Sequence, residues 1–169
     1  MPAGNTYEAI ATQTLGSAAA SVTFSSIPGT YTDLVLVMNI GTTANGNDLF
    51  MNIGNGSVDT GSNYSYTVLG GNGTSALSAR QSNQTRLNIN YATNTSSAIS
   101  GNLILNFMNY SNTTTNKTML IRANNSNYGV DAFAGLWRST SAINIMTITA
   151  GTSTFLANST FSLYGIAAA

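Results

Sequence analysis

The chain contains no cysteine and no histidine. Disulfides and thiolate metal sites are therefore excluded, as are the commonest general base and the commonest metal ligand. Charge is scarce too: 6% of the residues are Asp, Glu, Lys or Arg, against about 25% in an average soluble protein. The whole set is Glu8, Asp33, Asp48, Asp59, Asp131, Arg80, Arg86, Lys117, Arg122 and Arg138, and it sums to zero. So few scattered basic residues do not make the phosphate-contacting stripe that nucleic-acid binding draws on. No basic amphipathic face suits a membrane surface, and no apolar run approaches the roughly 20 residues that span a bilayer. The opening M-P-A-G-N-T-Y-E has neither the basic start nor the apolar run of a secretory signal. Without His a Ser–His pair cannot form, and carboxylate hydrolysis would require two of the few acids to converge. The chain thus reads as a non-enzyme with no catalytic residue, metal site or cofactor, and with neither nucleic acid nor membrane as partner.

Hydrogen-bonding neutral residues take the place of charge. There are 22 Asn, 24 Thr and 20 Ser among 169 residues. Disorder is not implied, because 43% of the residues are hydrophobic and disordered chains combine low hydrophobicity with high net charge. A neutral surface offers little repulsion between copies, which favours life in an assembly. The length fits one domain, residues 1–169, with residues 1–6 and 167–169 as terminal extensions. At least one of these Ala- and Gly-rich ends is expected to be held by a partner.

Helix signals are weak and strand signals recur at close intervals. Val22 and Phe24 alternate with Ser21, Thr23 and Ser25, the period of a half-buried strand. Pro28-Gly29 stops pairing, and Leu34–Met38 follows, apolar on both faces as in a central strand covered on both sides. Further candidates are Tyr7–Leu15, Asp48–Ile53, Tyr64–Leu69, Thr85–Tyr91, Asn102–Met108, Thr118–Ala123, Ala132–Arg138, Ile143–Thr149 and Thr160–Ile166. The polar turn at 41–47 suggests a hairpin between the strands on either side. Gly70-Gly71-Asn72-Gly73 reads as turn, and a short helical turn is possible over Ala76–Arg80. Ten or eleven short strands with almost no helix predict an all-β fold: an antiparallel β-sandwich, jelly-roll-like, in a single domain.

Four patterns resemble chemistry. Asp59-Thr60-Gly61 spells the aspartic-protease triplet, but it sits in a glycine-rich loop, where an aspartate capping its own turn is favoured. Gly71–Ala76 matches a dinucleotide fingerprint without the long helix and downstream acid it needs, so a glycine turn is favoured. Asp48, Asp59 and nearby asparagines could hold Ca²⁺, but no ligand spacing supports it. Eight tyrosines and Trp137 could form a sugar-stacking platform; the rival reading is core packing plus interface. The loops at 41–47, 54–63, 70–84 and 93–100, with the two ends, are where function is expected.

Several segments resemble a family of small virion structural proteins of tailed bacteriophages, frequent in phages of cyanobacteria. They are Y-E-A-I-A-T-Q-T-L (7–15), S-V-T-F-S-S-I-P-G-T-Y-T-D-L-V-L-V (21–37), D-T-G-S-N-Y-S-Y (59–66), Y-S-N-T-T-T-N-K-T (110–118), G-L-W-R-S-T-S-A-I-N (135–144) and S-T-F-S-L-Y-G-I (159–166). Residues 48–59, D-L-F-M-N-I-G-N-G-S-V-D, depart from the family's shorter L-R-F-N-G-D and lack its arginine. The resemblance implies a non-enzymatic capsid decoration or cement protein, a homotrimer that clamps the major capsid protein or other virion proteins. It would be made in the bacterial cytoplasm and incorporated in the virion. The alternative it leaves is a tail-fibre or baseplate module that recognises host-surface glycans. The excess of Tyr, Met and Arg over Lys and Glu is compatible with interface use.

Overall fold

The computed structural model describes residues 6–167. Alternation of apolar and polar residues drives nearly every strand, and all pairings are antiparallel. The larger sheet has eight strands: β1 (Tyr7–Thr14), β3 (Asp33–Ile40), β6 (Tyr64–Gly71), β7 (Ala76–Gln84), β9 (Gly101–Met108), β10 (Lys117–Asn125), β11 (Gly129–Trp137) and β13 (Thr160–Ile166). Their spatial order is β1-β13-β3-β9-β10-β11-β6-β7. The smaller sheet has β2 (Ser21–Phe24), β12 (Ile145–Thr149) and β4 (Phe50–Asn55) in that order. The far side of β4 is shared by β5 (Ser57–Val58) and β8 (Leu87–Asn88).

Within this arrangement β1-β13-β3-β9 opposes β2-β12-β4-β8, the interleaving of two Greek keys that defines a jelly roll. Two insertions extend it. The segment β5–β7 leaves between β4 and β8, and β10–β11 leaves between β9 and β12. Together they add β10-β11-β6-β7 to one side of the larger sheet.

One contiguous core lies between the sheets. Leu34, Leu36 and Met38 of β3, Leu103, Leu105 and Phe107 of β9, and Phe161 and Leu163 of β13 meet Phe24, Met51, Ile53, Met146 and Ile148 of the smaller sheet. Each such side chain, fully buried, contributes about 1.5–3 kcal/mol. Phe155 stands edge-on to Phe161, with ring centroids 5.0 Å apart. At the opposite end, the Tyr31 ring lies on Gly165, where a Cβ would come within 2.2 Å of it.

Several expectations are corrected. The 41–47 turn does not join a hairpin: β3 pairs with β13 and β9, while β4 lies in the other sheet. The hairpin is instead β4–β5, turning at Asn55-Gly56 with Gly56 at φ 76°. Gly70 and Gly71 are strand, not turn. Gly70 is needed for close approach, since a Cβ there would fall 2.3 Å from an Asp131 carboxylate oxygen. Ala76–Arg80 is strand, because its ladder with β6 outweighs local helical preference. Of Thr85–Tyr91 only Leu87–Asn88 is strand. Asn90 diverts the rest: its carboxamide accepts from Leu49 N–H (2.6 Å) and donates to the Asn47 and Thr93 carbonyls. Tyr91 consequently turns outward. Leu34–Met38 is central in the sheet's order; on its outer side Val35 is buried as expected, but Val37 is exposed. The N- and C-terminal extensions fall mostly outside the described residues, and the expectation that a partner holds one of them lies there too.

Among the described residues every buried side-chain nitrogen and oxygen has a hydrogen-bond partner. The Asp131 carboxylate receives the consecutive backbone N–H groups of Tyr91, Ala92 and Thr93, each at 2.8 Å. This nest fixes the loop after β8 to the inserted strand β11. The Lys117 ammonium donates to the Thr115 and Thr140 carbonyls (2.7 and 3.1 Å), and burial pushes its pKa down. The Tyr64 hydroxyl accepts from Ile53 N–H at 3.1 Å and lies 2.9 Å from the carbonyls of Ile53 and Asp59. Burial pushes its pKa up to about 12.

Asp131→Ala leaves three neighbouring N–H groups without their acceptor. It is expected to lower the unfolding free energy by about 3 kcal/mol, read from urea denaturation. Tyr64→Phe is expected to cost about 1–2 kcal/mol at neutral pH. The raised folded pKa means that this hydroxyl's contribution is complete below pH 10.0 and is lost as pH rises towards about 12. Tyr64→Phe should therefore flatten the alkaline limb of the stability profile.

Candidate interaction surface

Period-2 alternation gives every residue of the larger sheet an inner or an outer place. The outer face of its inserted half is unusually apolar. On β11, Asp131, Phe133, Gly135 and Trp137 point inward, leaving Val130, Ala132, Ala134 and Leu136 outward. Neighbouring strands bring Leu120 and Arg122 from β10, Thr67 and Leu69 from β6, and Arg80 from β7 alongside. Leu69 is 65% exposed, Val130 60% and Leu120 55%. Met108 and Val37 continue the apolar surface across β9 and β3.

Side-chain size shapes this face. The small Ala132 and Ala134 sit between taller neighbours and make two hollows along β11. One, about 490 Å³, lies over Ala134 and Gly135, walled by Met108, Leu120 and Leu136 and rimmed by Arg80. The other, about 610 Å³, lies over Ala132 and Gly70, walled by Leu69 and Val130 and rimmed by Arg122. A side chain at Gly135 would force Met119 and Leu87 to shift, since its Cβ would meet Met119 Cγ at 2.8 Å. Both arginines are exposed, and among the described residues neither side chain makes a hydrogen bond. Apolar walls beside an unengaged guanidinium suit a protein surface carrying apolar side chains and carbonyl or carboxylate oxygens.

The residues singled out in the sequence lie elsewhere. Asp59 caps its own turn as expected, accepting Gly61 N–H at 2.7 Å. Its other oxygen receives Asn63 Nδ2 at 2.8 Å and Trp137 Nε1 at 2.7 Å. Partial burial opposes ionisation, but the donors from Trp137, Asn63 and Gly61 outweigh it and hold the carboxyl below its usual pKa. Trp137 is 3% exposed, so its indole offers no stacking face. Tyr64, Tyr66 and Tyr110 are core residues, whereas Tyr7 and Tyr91 are exposed. Asp48 and Asp59 lie beyond opposite ends of β4 and do not converge. Among the described residues no group of three acids could hold a metal ion. The fingerprint-like Gly71–Ala76 runs from the last residue of β6 through the turn at residues 72–75 to the first residue of β7, so a strand and not a helix follows it.

Of the loops marked for function, 41–47 and 93–100 lie together at one end and bond to each other. Asn45 Oδ1 accepts Ser97 N–H, and Thr42 N–H reaches the Ser96 carbonyl. The apolar face was missed because an outward Leu or Val in a strand has the same sequence pattern as one covered on both sides. Only the pairing order shows which face is open. The chain matches no protein-family model, and a search of curated proteins gives no match.

Asp59 supplies a pH test. Its folded pKa is lowered, so its contribution is present above the unfolded value near 3.8 and is lost as pH falls through the folded one. Asp59→Asn should flatten the acid limb of the unfolding curve, with Trp137 fluorescence reporting the transition.

Proposed function

We propose that this chain is a non-enzymatic structural protein of a bacteriophage virion, an oligomeric capsid decoration or cement subunit. It stabilises the head by adding buried interface across neighbouring capsid subunits. The observation that carries this reading is the open apolar face of the larger sheet, with its two arginine-rimmed hollows. A face of this kind is stable in water only at a cost that docking removes. The resemblance of segments 21–37, 135–144 and 159–166 to tailed-phage virion proteins points to the same role. The near absence of surface charge suits side-by-side packing of copies, as in a homotrimer. A glycan-gripping tail module would want exposed aromatic platforms, and the single tryptophan is enclosed beside Asp59.

Imaging of particles assembled with and without the protein tests the proposal. Copies are expected on the outer surface of the head. The double variant Leu69→Asp, Leu120→Asp should keep its thermal unfolding midpoint, because both side chains are largely solvated, yet lose head occupancy by about tenfold or more. Heads free of the wild-type protein would overturn the proposal.

A further inference from the structure

Three Asn-Gly pairs occur in the chain: Asn45-Gly46, Asn55-Gly56 and Asn72-Gly73. All six residues are exposed, and each glycine has positive φ, at 75°, 76° and 86°. The sequence makes the three equivalent. Their hydrogen bonding does not.

Conversion of such a pair begins when the glycine backbone nitrogen attacks the asparagine Cγ. Two things are needed: a free nucleophile and a carboxamide oxygen able to take negative charge. At Asn55 both reacting nitrogens are engaged. Gly56 N–H donates to Asn144 Oδ1 at 2.7 Å, and Asn55 Nδ2 donates to the Ala142 carbonyl at 2.8 Å. At Asn45 the side-chain oxygen accepts Ser97 N–H at 2.8 Å, but Gly46 N–H is bonded to the Thr95 carbonyl at 2.9 Å.

Asn72 differs from both. Its Oδ1 accepts three donors: Thr74 N–H at 3.1 Å, the Thr74 hydroxyl at 2.9 Å and Ser75 N–H at 2.8 Å. Gly73 N–H has no acceptor among the described residues. The turn curls the Asn72 side chain back over its own following peptide, with the oxygen already surrounded by donors, as in an oxyanion hole.

We propose that Asn72 is a site of self-catalysed modification, converted to aspartate and isoaspartate in the folded protein while Asn45 and Asn55 are protected. Water or hydroxide removes the Gly73 amide proton, and the nitrogen bonds to Asn72 Cγ. The resulting oxyanion is held by Thr74 and Ser75. Its collapse breaks the Cγ–Nδ2 bond, and ammonia leaves with the proton it needs. The product is a succinimide ring, and one water opens it at either carbonyl. The balance is one water consumed and one ammonia released, with no oxidant or reductant.

The reaction leaves a carboxylate on a neutral chain. It arises at the tip of the β6–β7 hairpin, beside Gly71 and Ala76, which line the hollow rimmed by Arg122. The inference stands apart from the proposed virion role, because it depends only on this turn's geometry.

The folded protein is incubated at mildly alkaline pH and the three sites are followed by peptide mass mapping, with the urea-denatured chain in parallel. In the folded protein Asn72 is expected to convert about tenfold faster than Asn45 and Asn55, a difference of about 1.4 kcal/mol in activation free energy. In the denatured chain the three rates should converge. Thr74→Val removes one oxyanion donor and should slow Asn72 alone. Asn144→Ala frees Gly56 N–H and should speed Asn55. Equal protection of all three sites in the fold, or Asn45 or Asn55 leading, overturns the proposal.

Discussion

The inserted strand β11 is clamped by a carboxylate at each end, and the widened half of the molecule depends on those two clamps. Near its start, Asp131 gathers three N–H groups of the loop after β8. At its finish, Trp137 donates its indole N–H to Asp59 beside β5. The first clamp ties an insertion to the jelly-roll loop after β8, and the second ties the two insertions to each other. Arg138 continues the second clamp, donating to Ser65, the Ser62 carbonyl and Asn83 and tying β11 to the β6–β7 hairpin. Removing Asp131 would strand donors in the interior, where water reaches them poorly, which is why that contact outweighs an ordinary surface pair.

Three further charged groups are also engaged. Glu8 accepts from the Tyr31 hydroxyl, Asp33 from Asn109 N–H, and Arg86 lies over the Phe50 ring at 3.5 Å. Neutral amides and hydroxyls close the loops. Asn72 and Asn112 use one design, each oxygen receiving the backbone and hydroxyl of the threonine two residues on and the next N–H. Chains rich in Asn and Thr are poor helix formers for the reason that makes them good here: their side chains bond to nearby backbone.

Much of the architecture was legible in the sequence because it rests on alternation. Strands β1, β2, β3, β9 and β13 fall where their apolar patterns place them, alternating in β2 and β9 and continuous in β3, as does the jelly-roll class. What was illegible rests on long-range partners. Gly70-Gly71 reads as a turn until Asp131 is seen to need the space. Thr85–Tyr91 reads as a strand throughout, yet Asn88 and Asn90 are only 9% and 2% exposed because their carboxamides organise a loop. Asp59 was legible as a turn cap, but its bond to Trp137 spans 78 positions and leaves no local trace. The open apolar face was hidden for a related reason: an outward Leu69, Leu120 or Val130 looks in sequence like a covered one, and only the assembled sheet order reveals that their side is open.

Neutrality also has a kinetic side. With a net charge of zero, the molecule projects no strong field beyond its own surface, so a partner is not drawn in from a distance. Encounter proceeds in the unsteered range, around 10⁵–10⁶ M⁻¹s⁻¹, and changes little with ionic strength. Docked as proposed above, the protein would hold on through slow departure, by well-filled apolar contacts or many copies bound side by side. In the proposed role, such neutrality would favour staying in place across wide swings in salt over finding a target quickly.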